Sequence, residues 1–210
     1  MSSFRSTALL FLCSLLLTLG CNGQKTGAAY VAEVEEHRQE KNVKFKKNKE
    51  ETPLDKKARK KFKSLDYYAV NESYRVQATF KRTPNAKPFK MKTTTDRQPD
   101  YVQYGNLNLR VNDRTFTLPV YQNLALTNKP GFEDYLFIPF TDLTNGEDTY
   151  GGGRYLDFKI PEGDQVTVDF NLAYNPYCAY NAKYSCPIPP ANAFLKTRIE
   201  AGEKYVSDGN

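Results

Sequence analysis

Between Asp142 and Lys204 the sequence concentrates the residue types that hold or transform polar molecules. Gly151-Gly152-Gly153-Arg154 could form a backbone nest whose N–H groups, with the guanidinium, bind an anion. Three glycines before a strand equally make a tight turn or permit close backbone approach. No Lys-Ser/Thr pair follows, so this is not a phosphate-binding P-loop. Asp157 lies between Leu156 and Phe158, and Asp169 between Val168 and Phe170, which puts each carboxylate on the face opposite its apolar neighbours. If these two strands pair across Pro161-Glu162-Gly163-Asp164, both acids share a face with Arg154 nearby. Such a set reads as a salt-bridged cluster, a polar-ligand site, or the acid/base pair of a glycoside hydrolase. Downstream, Asn171, Tyr174, Asn175 and Tyr180, with Tyr150 before the glycines, pair flat apolar faces with adaptable hydrogen bonding. That combination suits sugars and peptides, although the same loop could cap the domain with its hydroxyls satisfied internally. The candidate ligand site is therefore Tyr150, Gly152, Arg154, Asp157, Asp169, Asn171, Tyr174, Asn175 and Tyr180, and the only candidate catalytic residues are Asp157 and Asp169.

Other chemistries are disfavoured by what is missing. The single histidine, His37, is far upstream, so a Ser–His or Cys–His nucleophile is excluded from the region expected to fold. Asp142 to Asp148 resembles a calcium loop, but its glycine falls one place early and no bidentate glutamate follows at the required distance. A zinc site needs four ligands that the spacing does not supply. Neither a metal nor a cofactor is expected.

The elements that must position these residues begin after an export signal. Arg5 and the thirteen-residue apolar run from Ala8 to Gly20 have the form of a signal peptide over residues 1–20, too short to span a bilayer. Thr18-Leu19-Gly20-Cys21 is similar to a bacterial lipobox, which makes Cys21 the lipidated first residue of the mature chain. Residues 21–66 then form a tether and a basic helical stalk. Residues 22–66 carry 13 Lys+Arg against 8 Asp+Glu, whereas residues 67–210 carry 16 of each. The basic excess lies beside the anchor, where it favours an anionic leaflet; with export, this argues against nucleic acid as a partner. Expected partners are the membrane, through the anchor, and a small polar ligand. The expected location is the bacterial cell envelope, facing the periplasm or exterior. With Cys13 removed and Cys21 lipidated, Cys178 and Cys186 remain as a pair, and in an oxidising compartment this suggests a disulfide.

Residues 28–50 place acids early and lysines late, as a helix dipole favours, over a thin apolar face. From Tyr67 the period changes to two. Val76, Ala78 and Phe80 alternate with polar residues, as do Leu107, Leu109 and Val111, then Phe116, Leu118 and Val120 around an Asn112-Asp113-Arg114 turn. Tyr135 to Phe140 is nearly continuous and apolar. About eight short strands over 67–210 predict a mainly β domain, a compact antiparallel sandwich or open barrel, preceded by the helical stalk.

The runs FKSLDYYAVNESYRVQATF, LFIPFTDLTNGEDTYGGGRYLDF and VDFNLAYNPYCAYNAKYSCPIPPANAFLKTRIEAGEK resemble the bacterial domain of unknown function 1684 family. The likeness covers most of residues 38–206, and the HRQEKNVKF segment resembles its lipoprotein members. Longer members carry an N-terminal portion that this sequence lacks. The resemblance implies no particular reaction. Some relatives lack export signals yet keep the cysteine pair, so a packed pair of thiols stands as the alternative to the disulfide.

Overall fold

The computed structural model describes residues 24–205; the signal-peptide and Cys21 readings lie outside them. The chain enters as helix α1, Gly27–Lys47, closed by Lys44, Lys46 and Lys47 in its last turn, where cations complement the exposed carbonyls. Its buried residues, Tyr30, Val34, Arg38 and Phe45, form one stripe laid against the sheet domain. The helix is therefore docked on the domain, with Tyr30 on Asp169 and Lys41 on Glu203. Half of its buried stripe is polar, so apolar periodicity alone undersells its docking. Helix α2, Lys56–Lys61, is capped by Asp55, whose carboxylate accepts from Ala58 N at 2.7 Å. Phe62, just beyond it, packs on Phe45 at 5.7 Å between ring centroids. Among the described residues no helix is long and apolar enough to cross a membrane.

The strands are β1 Arg75–Arg82, β2 Phe89–Lys90, β3 Asp100–Val111, β4 Arg114–Asn123, β5 Tyr135–Asp142, β6 Arg154–Lys159, β7 Gln165–Asp169 and β8 Phe194–Leu195. They pair in the order β6-β5-β4-β3-β1-β7, an antiparallel sheet that curls into a half-barrel, with β2 added on β3 and β8 running parallel to β5. The expected alternation builds the concave core: Val76, Ala78, Phe80, Leu107, Leu109, Leu118, Val120, Leu136, Ile138 and Val168 are all buried. Asn112 and Asp113 join β3 to β4 with φ of 47° and 58°, the left-handed pair that a two-residue hairpin turn needs and that Asn and Asp tolerate. Gly105 sits where β3 shifts register, and a Cβ there would lie 2.5 Å from the Phe80 ring.

The pairing of β6 and β7 and the two covered faces of β5 position the site, and the pairing differs from the hairpin expected. β6 and β7 do not pair across residues 161–164: β6 pairs with β5, and β7 crosses to pair with β1, Asp169 opposite Arg75. The sheet therefore has two ends, and among the described residues no second sheet is stacked on it as a sandwich would require. As its continuous apolar run implied, β5 is covered on both faces. Leu136, Ile138 and Phe140 point into the core, while Phe137 joins Met91, Tyr101, Tyr121 and Tyr155 in a second cluster on the convex face, with Tyr135 and Tyr174 against it.

Candidate functional site

On that convex face a cavity of about 460 Å³ lies between the sheet and α1. Its floor is aromatic: Tyr101, Tyr135, Phe137, Tyr155 and Tyr174. One wall is the loop carrying Tyr177, Tyr184, Cys186 and Pro187; the other is α1, which contributes His37, Glu40, Lys41, Lys44 and Phe45. Asp157 stands opposite Phe137 in the β5–β6 register, so the alternation that buries Leu156 in the core turns this carboxylate outward into the cavity.

Asp157 is held rigidly. Its Oδ1 accepts from Tyr135 Oη at 2.7 Å and from Tyr174 Oη at 2.6 Å. Among the described residues no hydrogen bond or ion pair engages its Oδ2. Burial first, and the Asp157 charge next, hold the Tyr135 and Tyr174 phenols above their ordinary pKa, so both stay protonated and donate. Tyr155 donates from its hydroxyl to the Pro187 carbonyl and tilts on Phe137 at 4.7 Å, fixing floor to wall. On α1, Lys41 Nζ lies 4.3 Å from the centre of the Tyr174 ring and 2.5 Å from Oε1 of Glu203, a wholly buried carboxylate. Desolvation, and then the charge of Lys41 one turn on, lower the His37 pKa, so the ring is neutral near pH 7.

Of the residues singled out from the sequence, the structure brings Asp157 and Tyr174 into this cavity. The others go elsewhere. Arg154 is completely buried; its Nη2 donates to Asp142 Oδ2 at 2.8 Å and to the Ile199 carbonyl at 2.8 Å, and its Nη1 donates to the Ala201 carbonyl. The guanidinium ties the C-terminal segment to the barrel and is not presented to an anion. Gly153, at φ 89°, makes the turn before β6, where a Cβ would lie 2.6 Å from the Phe140 carbonyl. Gly152 is exposed beside Tyr150. Tyr150 packs edge-on against Tyr205 at 5.3 Å, with its hydroxyl 3.8 Å from Cys178 Sγ. Asp169 accepts from Tyr30 Oη at 2.8 Å and caps its own turn through Asn171 N, and it lines a smaller cavity that Asp157 also borders. Asn171 donates to the Asn71 carbonyl and accepts from Asn71 N, each at 2.9 Å. Asn175 N and Tyr180 Oη both donate to Glu203 Oε2, at 2.8 Å and 2.9 Å. These four residues are joints of the fold.

Cys178 and Cys186 are free thiols, which corrects the expected disulfide. The pair is packed and hydrogen-bonded: Cys178 N donates to Cys186 Sγ at 3.1 Å. The Cys186 thiol, as donor, lowers the Cys178 pKa to about 6, and that bond raises its own. Among the described residues no cluster of three or more His, Cys, Asp or Glu side chains is placed to hold a metal.

Lys41, His37, Tyr135, Tyr155 and Glu203 escaped sequence reasoning. A usable signal existed for two of them: in Tyr135–Phe140 both faces are apolar, so the face carrying Tyr135 and Phe137 needed a cover, and the alternation in β6 places Tyr155 beside it.

The molecule is thus an antiparallel half-barrel with a helix docked over an aromatic, carboxylate-bearing cavity. The chain belongs to the family described as "Protein of unknown function (DUF1684)", whose pattern matches residues 60–204 and so begins after α1. It is similar in structure to the uncharacterized protein from gene locus rrnAC0354 of Haloarcula marismortui, solved by solution NMR. The TM-score is 0.66 and the identity 30%, over 86% of this chain and 97% of that one. No curated protein matches the chain.

Proposed function

We propose that this protein is a lipid-anchored binding module of the bacterial envelope, and that its cavity takes a polar ligand such as a glycan or a peptide fragment. One observation carries the reading: Asp157 is oriented by two tyrosine hydroxyls on Oδ1 and lines an aromatic-floored cavity of about 460 Å³. A fixed carboxylate beside flat aromatic faces matches a ligand that offers hydroxyl or amine donors and an apolar ring or side-chain face. A hydrogen bond to a charged acceptor contributes about 1.5–3 kcal/mol, so Asp157 would set much of the affinity.

The anchor reading adds geometry. Arg75 Nη1 donates to the Lys25 carbonyl at 2.5 Å, fastening the chain to β1 four residues after Cys21. Four residues reach at most about 14 Å, so an acylated Cys21 holds the domain close to the bilayer. Radiolabelled palmitate should enter the wild-type protein and not Cys21→Ser; equal labelling of both sinks the anchor.

Binding is tested by a thermal-shift panel of mono- and disaccharides and short peptides. A ligand at one hundred times its Kd stabilises by about 2.7 kcal/mol, or roughly 5–10 °C in a domain of this size. Asp157→Asn should remove the shift while leaving the unliganded Tm nearly unchanged. A shift that survives Asp157→Asn places the ligand elsewhere.

A further inference from the structure

β6 and β7 are the two ends of the sheet, and their facing edges leave a slot in the half-barrel wall. At one end Tyr155 and Tyr174 exchange both backbone hydrogen bonds, at 2.9 Å and 3.0 Å, and close it. At the other end residues 160–164 turn the chain from β6 into β7. Between them is a second cavity of about 180 Å³, walled by Ile138, Leu156, Phe158, Val168 and Leu172. Its own polar groups are Thr167, whose hydroxyl accepts from Gln77 Nε2 at 3.0 Å, and Asp169, which accepts from Tyr30 and Asn171. His37, Asp157 and Tyr174 border this cavity and the larger one alike. The two spaces therefore meet at the Asp157 carboxylate, one aromatic and polar, the other apolar.

We propose, resting on the reading of the larger cavity as a polar-ligand site, that the ligand is amphipathic: its donor-bearing head lies at Asp157 and an alkyl or acyl tail enters the slot between β6 and β7. An apolar-lined void excludes water and accepts hydrocarbon. At the ~30 Å³ that a water-sized group takes, 180 Å³ admits a tail of about six carbons. The slot's Thr167 and Asp169 are already hydrogen-bonded within the protein, whereas Asp157 Oδ2 is not, so the ligand's orientation is fixed with the tail inward.

The test is a calorimetric titration of the folded protein with n-alkyl β-D-glucosides, methyl to octyl, kept below their micelle concentrations. The Kd should fall about fourfold for each added methylene until about hexyl and then level off. Val168→Phe, which fills the slot from β7, should flatten the series to the value for methyl glucoside. If that variant does not fold, Leu172→Trp puts the chain's sole tryptophan at the exposed lip of the slot; its emission should shift to the blue with hexyl and not with methyl glucoside. One Kd across the whole series overturns the tail and leaves the head site standing. A chain-length dependence that Val168→Phe does not alter also overturns it, since the hydrocarbon is then adsorbed elsewhere. Absence of binding by every glucoside overturns the tail and the glycan form of the head site, and a thermal shift with short peptides that Asp157→Asn removes then keeps the head site alone.

Discussion

Replacing Lys41 by Met tests whether α1 is an integral wall of the domain. Glu203 is wholly buried, and its Oε1 faces Lys41 Nζ at 2.5 Å, while Oε2 accepts from Asn175 N and Tyr180 Oη at 2.8 Å and 2.9 Å. Met keeps the length of the side chain and its apolar stem, so the variant removes chiefly the charge. Breaking a buried ion pair from one side costs about 3–5 kcal/mol because a charge is left uncompensated. The Lys41 side chain is 18% exposed and Glu203 retains two donors, which favours the lower end, about 3 kcal/mol. For a domain of this size that lowers Tm by roughly 6–12 °C. The assay is urea and thermal unfolding followed by circular dichroism, with Glu203→Gln and the double variant completing a cycle. The double variant should recover a large part of the loss, because a neutral amide no longer needs the ammonium. A drop under about 1 kcal/mol for Lys41→Met, with no coupling to Glu203, would refute the docking of α1 through this pair.

Three further outcomes follow from the same geometry. Arg154→Met leaves Asp142 charged and the Ile199 and Ala201 carbonyls without their donor, so it should destabilise by at least about 3 kcal/mol or abolish folding; denaturant unfolding that matches wild type contradicts the structural role. His37 has a pKa lowered on folding, so the unfolded chain binds the proton more readily. The His37 contribution to stability is present above its unfolded pKa of about 6.5 and is lost as pH falls below it; His37→Gln should make the Tm less steep in pH between about 7.5 and 5.5, and an unchanged slope rejects this. Cys178, with a pKa of about 6, is largely thiolate at neutral pH, whereas the Cys186 thiol is raised and buried. Iodoacetamide at pH 7 should modify Cys178 first by peptide mapping, and equal or reversed labelling argues against the assignment.

How far the structure was legible differs from element to element. The alternation in β1, β3 and β4 and the Asn112–Asp113 turn are local, and both are present as expected. The pairing of β7 with β1 spans about ninety residues, and nothing local distinguishes it from the hairpin with β6. That single topological difference puts Asp157 and Asp169 on the two end strands of the sheet, with the slot open between them. Arg154 misled because its acceptors, the carbonyls of Ile199 and Ala201, lie more than forty residues downstream. A guanidinium after three glycines reads as an anion site until those partners are in place. On α1, Tyr30, Arg38 and Lys41 have the composition of a solvated face, yet they bind Asp169, stack on Tyr67 and pair with Glu203. Polar docking leaves little hydrophobic periodicity to read. The tyrosine-rich loop was the clearest pointer, for it places Tyr174 and Tyr177 against the cavity.

The central claim is that the Asp157 cavity is a ligand site. It is tested most directly by a crystal structure of the protein with the tightest ligand from the thermal-shift panel. Ligand density is expected within hydrogen-bond distance of Asp157 Oδ2 and against the Tyr174 ring, with Tyr135 and Tyr174 still donating to Oδ1. Ligand bound away from Asp157, or a cavity closed by collapse of its tyrosines in the complex, would contradict it.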